Sequence, residues 1–432
     1  MENFEQVVNE CYKLLKQNQS KYTVYDRYYR GDHDILHNYA MQDARSNMRV
    51  VCNFPRLFID EEVSYVLGYP INYIPYDNNE EVIALLDRNF STWEKVHNQE
   101  LLKQALIFGE SYELQYINKD GDFKATVLTP LNCYVVESED AESEVILALH
   151  SYKKSFDETE YIDVYFENFI YHYKVDGDEL IQIGVDTHFF NGVPIQVMKA
   201  NPERRSLIDD IKSLNDSYNN VISDLVNEVS DFRTAFLTIT NAKVEEEDLL
   251  KMKKSGVIVV PNNGNVSFLI KNINDAFIQN LLETLENKIY QISGHINHTE
   301  KMQSNLSGVT MRSRLISLEN KCALLQAQLE QVIKQRLKNF FDFIRLKTNE
   351  TYDYRNIKIK FTPNVPQDIS VTANIINQLQ NLVSQRTLLS LLPFVENVDL
   401  ELEQFRKEKE LAGGNYAEIL EQMTLDEGGN NE

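Results

Sequence analysis

Basic residues, cysteine and glycine are all in short supply in this chain of 432 residues, and no run of about 18 apolar residues appears anywhere. Lys and Arg number 43 against 66 Asp and Glu, which leaves a formal charge of -23 and a pI near 4.8. Nucleic-acid coating is driven by Lys and Arg at phosphates, so this balance disfavours a protein that coats nucleic acid. The four cysteines, Cys11, Cys52, Cys133 and Cys322, lack CxxC spacing, which argues against a zinc ribbon or a disulfide framework and for reduced, mostly buried thiols. With only 15 glycines, the chain has no GxxxxGK[ST] turn whose amides would hold phosphate, and HExxH, GxSxG and GxGxxG are missing too. The expectation is a protein that is not an enzyme and needs no cofactor. The first residues, MENFEQVVNECYKLLKQ, are charged and amphipathic with no apolar h-region, so the chain is expected to be intracellular or assembled inside a cell, without a membrane partner.

What is present is ample apolar material, 43% of residues, over a length that allows two to four domains. Residues 1 to 47 have a helical pattern broken at Gly31, and NFPRLFIDEEVSYVLGYPINY then starts a helix at Asn53 and Pro55 that Gly68 and Pro70 end. One further helix is expected over 79 to 108, stopping at Gly109. From Glu110 to about Val197 the period becomes two, in short aromatic or β-branched runs separated by turns such as KDGD and DGD. That is an antiparallel sheet region. The second half reads differently: Leu207, Ile211, Leu214, Tyr218, Val221, Leu225, Val229 and Phe232 recur at three- and four-residue steps and predict one long amphipathic helix reaching 240. VEEEDLLKMKKS predicts a short acidic helix, GVIVVPNNGNVSFLIK a hairpin around Asn262, Asn263 and Gly264, and INDAFIQNLLETLENKIYQIS another helix. A further helix of about 40 residues, roughly 60 Å, follows over 308 to 347. NIKIKFTPNVPQD reads as a single strand, 369 to about 411 as helical, and the Gly/Asn-rich acidic end as disordered. The fold class is α+β and mainly helical.

Several clusters carry ligand-type residues. DHDILH offers Asp32, His33, Asp34 and His37, yet no further ligands are predictable nearby, so a solvated helix end outweighs a metal site. HINHTEKMQSNLSGVT pairs His295 with His298, but Gly294 frays the preceding helix and a polar loop is the better reading. Glu245, Glu246, Glu247 and Asp248 suit the first turn of a helix, where the macrodipole favours carboxylates. No metal is expected. The helix 308 to 347 holds Arg312, Arg314, Lys321, Lys334, Arg336, Lys338, Arg345 and Lys347 against Glu319, Glu330 and Asp342. It reads as a charged outer face paired with an acidic neighbour, or, more sharply, as a contact to an acidic subunit surface or DNA phosphate.

The order of these elements, with YYRGDHDIL, NFPRLFIDEEVSYVLGYPINY, ALIFGESYELQYIN, RRSLIDDIKSLNDSYN and NLSGVTMRSRL in place, resembles the portal proteins of tailed bacteriophages, in particular the siphovirus portal family of Gram-positive hosts. The resemblance runs from about 20 to 345. It implies a ring of about twelve subunits, a head-tail connector at one capsid vertex, whose axial channel carries DNA during packaging and ejection. It also implies a division into wing (1–205), long helix leading into the stem (206–240), clip (241–272), second stem helix (273–295), tunnel loop (296–308), wing with long tunnel helix and strand (309–368), and crown with acidic tail (369–432). On this resemblance His298, Thr299, Glu300, Lys301, Gln303 and Asn305 line the DNA channel. Glu245, Glu246, Lys251, Lys253, Lys254, Asn262 and Asn263 would dock partners at the clip. The implied partners are other copies of the chain, the terminase large subunit, a head-completion adaptor, major capsid and scaffolding proteins, and double-stranded DNA. The implied location is the virion, after assembly in the host cytoplasm. Twelve copies would multiply the charge of -23, and a channel partly lined by carboxylates would let DNA slide. The competing readings are a helical scaffold or interaction protein without a channel and, third, a metal-dependent nuclease using DHDILH.

Overall fold

A computed structural model of the chain describes residues 2–41, 43, 45–77, 79–140, 144–177, 179–232, 236–241, 247, 263–269, 275–297, 308–364, 369–379, 382–389 and 401–409, with 392, 395 and 398. The fold is α+β, as expected. Helix α1 (Glu2–Arg30) stops at Gly31, whose φ of +88° a side chain would resist. A short α2 (Ile35–Asn38) and then α3 (Phe54–Leu67) follow, the latter capped by the Asn53 side chain with Pro55 in its first turn.

The region expected to be one helix over 79 to 108 is two, α4 (Glu80–Phe90) and α5 (Glu94–Phe108). No Gly or Pro marks the break. Trp93 turns its ring onto the neighbouring Phe90, and the restart at Glu94 delivers that carboxylate to Arg336 inside the protein. Tertiary pairing overrides the local pattern here. Gly109 ends α5 at φ +90°, and a Cβ there would lie 2.1 Å from the Arg204 carbonyl oxygen.

The sheet region expected over 110 to 197 is present as two antiparallel sheets. β2 (Glu110–Ile117) sits between β3 (Phe123–Leu128) and β9 (Ile195–Lys199), while β4 (Cys133–Glu137), β5 (Val145–Lys153), β6 (Glu160–Phe166), β7 (Phe169–Asp176) and β8 (Glu179–Thr187) form a meander. Helix α1 covers one face of the meander, burying Val8, Cys11 and Leu15 against Leu147, Leu149, Ile162 and Val164. Between the sheets, Tyr112, Leu114 and Ile195 pack on Ala148 and Tyr165.

Helix α6 (Leu207–Phe232) is shorter than the sequence predicts, because 236–240 is a strand, β10 (Phe236–Thr240). Alternating Phe, Thr and Ile suit an extended chain better than a helix. β10 pairs with β11 (Asn265–Leu269), Phe236 opposite Leu269 and Thr240 opposite Asn265. The first strand of the expected hairpin, 256 to 260, lies outside the described residues, as do most of the expected acidic helix and the acidic end. Helix α7 (Asp275–Ser293) lies against α6, and α8 (Gly308–Thr348) is the longest element, 41 residues. The strand expected near 357, β12 (Ile357–Lys360), is not single but pairs with β1 (Asn72–Pro75). Beyond it the expected helical segment contains α9 (Ile369–Leu379), α10 (Gln385–Leu389) and helical residues 401–409.

Helix α8 runs through the main core. Leu318, Cys322, Leu325, Leu329, Ile333, Leu337 and Phe340 are buried with Phe58, Leu101, Ala105 and Ile208 from α3, α5 and α6. Each fully buried aliphatic side chain of this kind contributes about 1.5–3 kcal/mol.

Candidate functional site at the root of the paired helices

Helices α6 and α7 leave the core together, and the chain between α7 and α8 holds the proposed channel residues. His298, Thr299, Glu300, Lys301, Gln303 and Asn305 lie outside the described residues, and so do Glu245, Glu246, Lys251, Lys253, Lys254 and Asn262. Asn263 is described and exposed, in the turn ahead of β11.

The root of that connection is well defined. Helix α7 ends at Ser293, Gly294 takes φ +76°, and the amides of Gly294 and His295 both donate to the Tyr290 carbonyl, 3.0 and 3.2 Å. His295, expected in a polar loop, is instead inside the protein. Its ring stacks on Phe58 at 4.2 Å, with Nδ1 3.1 Å from the Ser293 carbonyl and Nε2 3.5 Å from Glu62. Glu62 is fully buried, and its second partner is Lys321, whose Nζ lies 2.8 Å from its Oε1 and also donates to the Ser293 carbonyl. Burial pushes the Glu62 carboxyl above the usual range, and Lys321 opposes that shift. Three elements, α3, α7 and α8, therefore meet at one buried charged knot beside the connection.

Lys321, partly exposed, thus turns its ammonium to a buried carboxylate, and Arg336 departs fully from the expected outer face as the largest fully buried side chain among the described residues. Its guanidinium holds Glu113 through two nitrogens, Glu94 at 2.8 Å and Asn98 at 2.7 Å, with Trp93 beside it. His97 lies 2.8 Å from Glu113, and the Tyr73 hydroxyl donates to Glu94. Two carboxylates face one guanidinium. Burial would raise the Glu113 carboxyl, but Arg336 and His97 hold it well below the usual range, whereas at Glu94 burial prevails and pushes it up. Lys334 donates to the Ile357 carbonyl, Lys347 to the Gly121 carbonyl at 3.0 Å, and Arg345 pairs with Asp342 at 3.1 Å. Partners within the chain take Lys321, Lys334, Arg336, Arg345 and Lys347, five of the eight cations of this helix, while the side chains of Arg312 and Arg314 lie outside the described residues.

DHDILH is likewise absorbed by structure, and no group of three or more potential metal ligands occurs among the described residues. Asp34 accepts from Arg27 at 2.9 Å and Lys212 at 2.8 Å; burial opposes, yet these cations lower its carboxyl to about 2. His37 pairs with Asp32 at 2.5 Å. His33 is fully buried, stacked on Tyr28, its Nε2 donating to the Tyr28 carbonyl and its Nδ1 3.1 Å from Asn219 Nδ2. Burial depresses its pKa and keeps it neutral, which suits a ring that donates at one nitrogen and accepts at the other.

Asn219 is part of a feature that hydropathy hides. On α6 the apolar stripe beyond Ile211 is only partly buried and Val229 is 56% exposed, while Asn215, Asn219, Ser223 and Asn227 are buried. They face the extended segment 46–52. The amides of Ser46, Met48, Val50 and Cys52 donate to Asp231 Oδ1, Asn227 Oδ1, Ser223 Oγ and Asn219 Oδ1 at 2.8, 2.6, 2.9 and 2.8 Å. Asn227 Nδ2 returns a bond to the Met48 carbonyl at 2.9 Å, and Asn215 Nδ2 one to the Cys52 carbonyl at 3.0 Å. The periods match because four helical residues rise about 6 Å and two extended residues about 6.6 Å. A helix thereby reads a strand's backbone, rung by rung. The signal available in the sequence was polar residues at strict four-residue spacing, Asn215, Asn219, Ser223, Asn227 and Asp231.

With this geometry in place, comparison with known proteins is decisive. The family model described as phage portal protein, SPP1 Gp6-like, matches residues 9–414. The chain belongs to that family. Among individual portal proteins, that of Bacillus phage SPP1 is 24% identical over 436 residues, covering 93% of this chain and 84% of its own length. The portal protein of Clostridium phage phiCD119 is 21% identical over 442 residues, covering 92% of this chain and 94% of its own. A solved chain from "Neck of empty GTA particle computed with C6 symmetry" superposes with a TM-score of 0.48 at 9% identity, over 78% of this chain and 88% of that one. No helix among the described residues of this portal-family chain is long and apolar enough to cross a membrane. The expected family is thus established.

Proposed function

We propose that this chain is the subunit of a portal ring of about twelve copies at one capsid vertex, a structural protein whose axial channel passes double-stranded DNA during packaging and ejection. The observation that carries the reading is the family match across nearly the whole chain. The long helix α8 and the paired helices α6 and α7, joined at the far end through the β10 and β11 ribbon, agree with it. On this reading 1–205 and 309–368 form the wing, α6 and α7 the stem, 241–272 the clip, 296–308 the tunnel loop and 369–432 the crown. His298, Thr299, Glu300, Lys301, Gln303 and Asn305 face the DNA. Glu245, Glu246, Lys251, Lys253, Lys254, Asn262 and Asn263 meet the terminase large subunit and then a head-completion adaptor, while major capsid and scaffolding proteins surround the ring. The ring assembles in the host cytoplasm and ends in the virion.

An electron micrograph of the purified protein tests this directly. A disc of about twelvefold symmetry with a central hole is the expected image. Discrete small monomers would sink the reading and leave the scaffold without a channel.

A further inference from the structure

We propose that the strap Ser46–Val50 is a reversible latch, from which the lower half of α6 parts as one unit by hinging just below Asn219. The hinge follows from where apolar packing stops. Leu207, Ile208 and Ile211 are buried in the core, and Leu214 and Tyr218 are the last α6 residues packed against it, Tyr218 edge-on to Phe54 at 5.3 Å. Below them, the described ties between α6 and segment 39–50 are polar: Asp231 to Ser46, Asn227 to Met48, Ser223 to Val50, and Tyr39, whose hydroxyl donates to Asp224 at 2.7 Å and accepts from Asn227 at 2.9 Å.

Such a seam separates differently from a hydrophobic one. Water replaces each lost hydrogen bond, and no apolar core is bared, so opening avoids the main penalty that keeps helices packed. The rung above the hinge differs in kind. Cys52 is tied to Asn219 and Asn215, Asn219 is tied to buried His33, and Asn53 caps α3 while its Nδ2 bonds the Tyr29 carbonyl at 3.0 Å. The strap is thus fixed at its Cys52 end and free to release from its Ser46 end. The three rungs below the hinge stand on one rigid helix, so they open together rather than singly.

Residue-resolved amide exchange on the full-length protein tests this. The amides of Ser46, Met48 and Val50, corrected for intrinsic exchange, are expected to share one degree of protection, lower than that of Cys52 and much lower than those of Leu329 to Leu337 in α8. Asn227→Ala is expected to raise all three strap rates by about tenfold or more together and to leave Cys52 unchanged. If only the Met48 amide responds, or if the three amides exchange no faster than α8, the latch is refuted. A locked form, Val50→Cys with Ser223→Cys, is expected to slow strap exchange when oxidised and to regain it with reductant; unchanged exchange after verified oxidation also refutes the latch. The consequence for DNA passage rests on the portal reading: phage carrying the locked form should assemble heads yet package or eject DNA at a reduced rate until reduced. The exchange result stands alone, so a latch without that phenotype overturns only the link to DNA passage.

Discussion

The Arg336 cluster and the α6 ladder are both buried polar assemblies joining distant parts of the chain, yet they are built on opposite principles. In the cluster, ionised side chains hold one another, Arg336 on Glu113 and Glu94, and each depends on its partner for charge compensation. In the ladder, neutral amides and a hydroxyl, with Asp231 at the end, hold a backbone, so the strap's side chains take little part. The cluster has one arrangement, because a guanidinium removed from two buried carboxylates leaves charge that burial cannot tolerate. The ladder is uncharged except at Asp231, so its rungs below Asn219 can part together and leave their groups to water. The proposed ring would have use for both, a fixed core around α8 and a seam beside α6 that can yield.

The largest expected effect breaks the first half of that contrast. Arg336→Met leaves Glu113 and Glu94 buried without their cation and is expected to cost about 3–5 kcal/mol, read as a lowered urea midpoint of the purified subunit. Replacing Arg336, Glu113 and Glu94 together by apolar residues of similar volume should recover most of that loss. A single variant as stable as the wild type would mean that the cluster does not hold α8 to α5 and β2.

Next comes the ladder's helix side. Asn227→Ala removes the acceptor for the Met48 amide and the donor to its carbonyl, and is expected to cost about 1–3 kcal/mol if the strap stays closed and its groups unpaired. If the latch opens, water takes those groups and the cost falls toward the lower end. The same urea measurement on Asn215→Ala, above the hinge and next to Cys52, should show the larger loss of the two.

These two assemblies also mark how far the sequence is legible. The period of two from Glu110 to Val197, the helix stops at Gly31 and Gly109, and the long helix 308 to 347 all follow from local chemistry, and the family stretches added the order of parts. Arg336 did not follow, because hydropathy assigns every Arg outward and its partners lie more than 220 residues away in sequence. The ladder was hidden by the apolar residues interleaved with it, which suggested an ordinary amphipathic helix whose Asn residues face water. The helix end at Phe232 was misplaced because β10 is fixed by its pairing with β11. Of the candidate site, the sequence could name ligand types at DHDILH and His295 and read them as a solvated helix end and a polar loop, whereas packing buries His33 and His295.

A third, smaller effect links the ladder to pH through His33. Burial lowers its pKa below the ordinary value near 6.5, against the opposing pull of Asp216 and Asp34, so the unfolded chain takes up the proton first. The stability this group contributes is complete above about pH 6.5 and is lost as pH falls from there through the folded value. A protonated Nδ1 would also point a hydrogen at the Asn219 amide nitrogen. Protection of the Cys52 amide, corrected for intrinsic exchange, should therefore fall on acidification, and His33→Gln should remove that dependence. A dependence that persists in His33→Gln would place its origin elsewhere.

The smallest expected effect is the most discriminating, because it separates recognition of backbone from recognition of side chain. Met48 donates its amide to Asn227 and accepts from it at its carbonyl, while its side chain is half exposed. Met48→Ala keeps both backbone groups and leaves the strap free to stay extended, so it should change stability by no more than about 0.5 kcal/mol, although Asn227→Ala at the other end of the same rung costs several times that. In the Arg336 cluster no such asymmetry is expected, since Glu113→Ala removes the carboxylate that two guanidinium nitrogens hold and leaves buried Arg336 with Glu94 and Asn98 alone, a large loss beside that of Arg336→Met. Urea midpoints of the four single variants therefore distinguish the two designs: two large losses in the cluster, one loss and one null in the ladder. Equal losses for Met48→Ala and Asn227→Ala would show that the strap is held by its side chains after all, and a latch that opens without baring apolar surface could not stand.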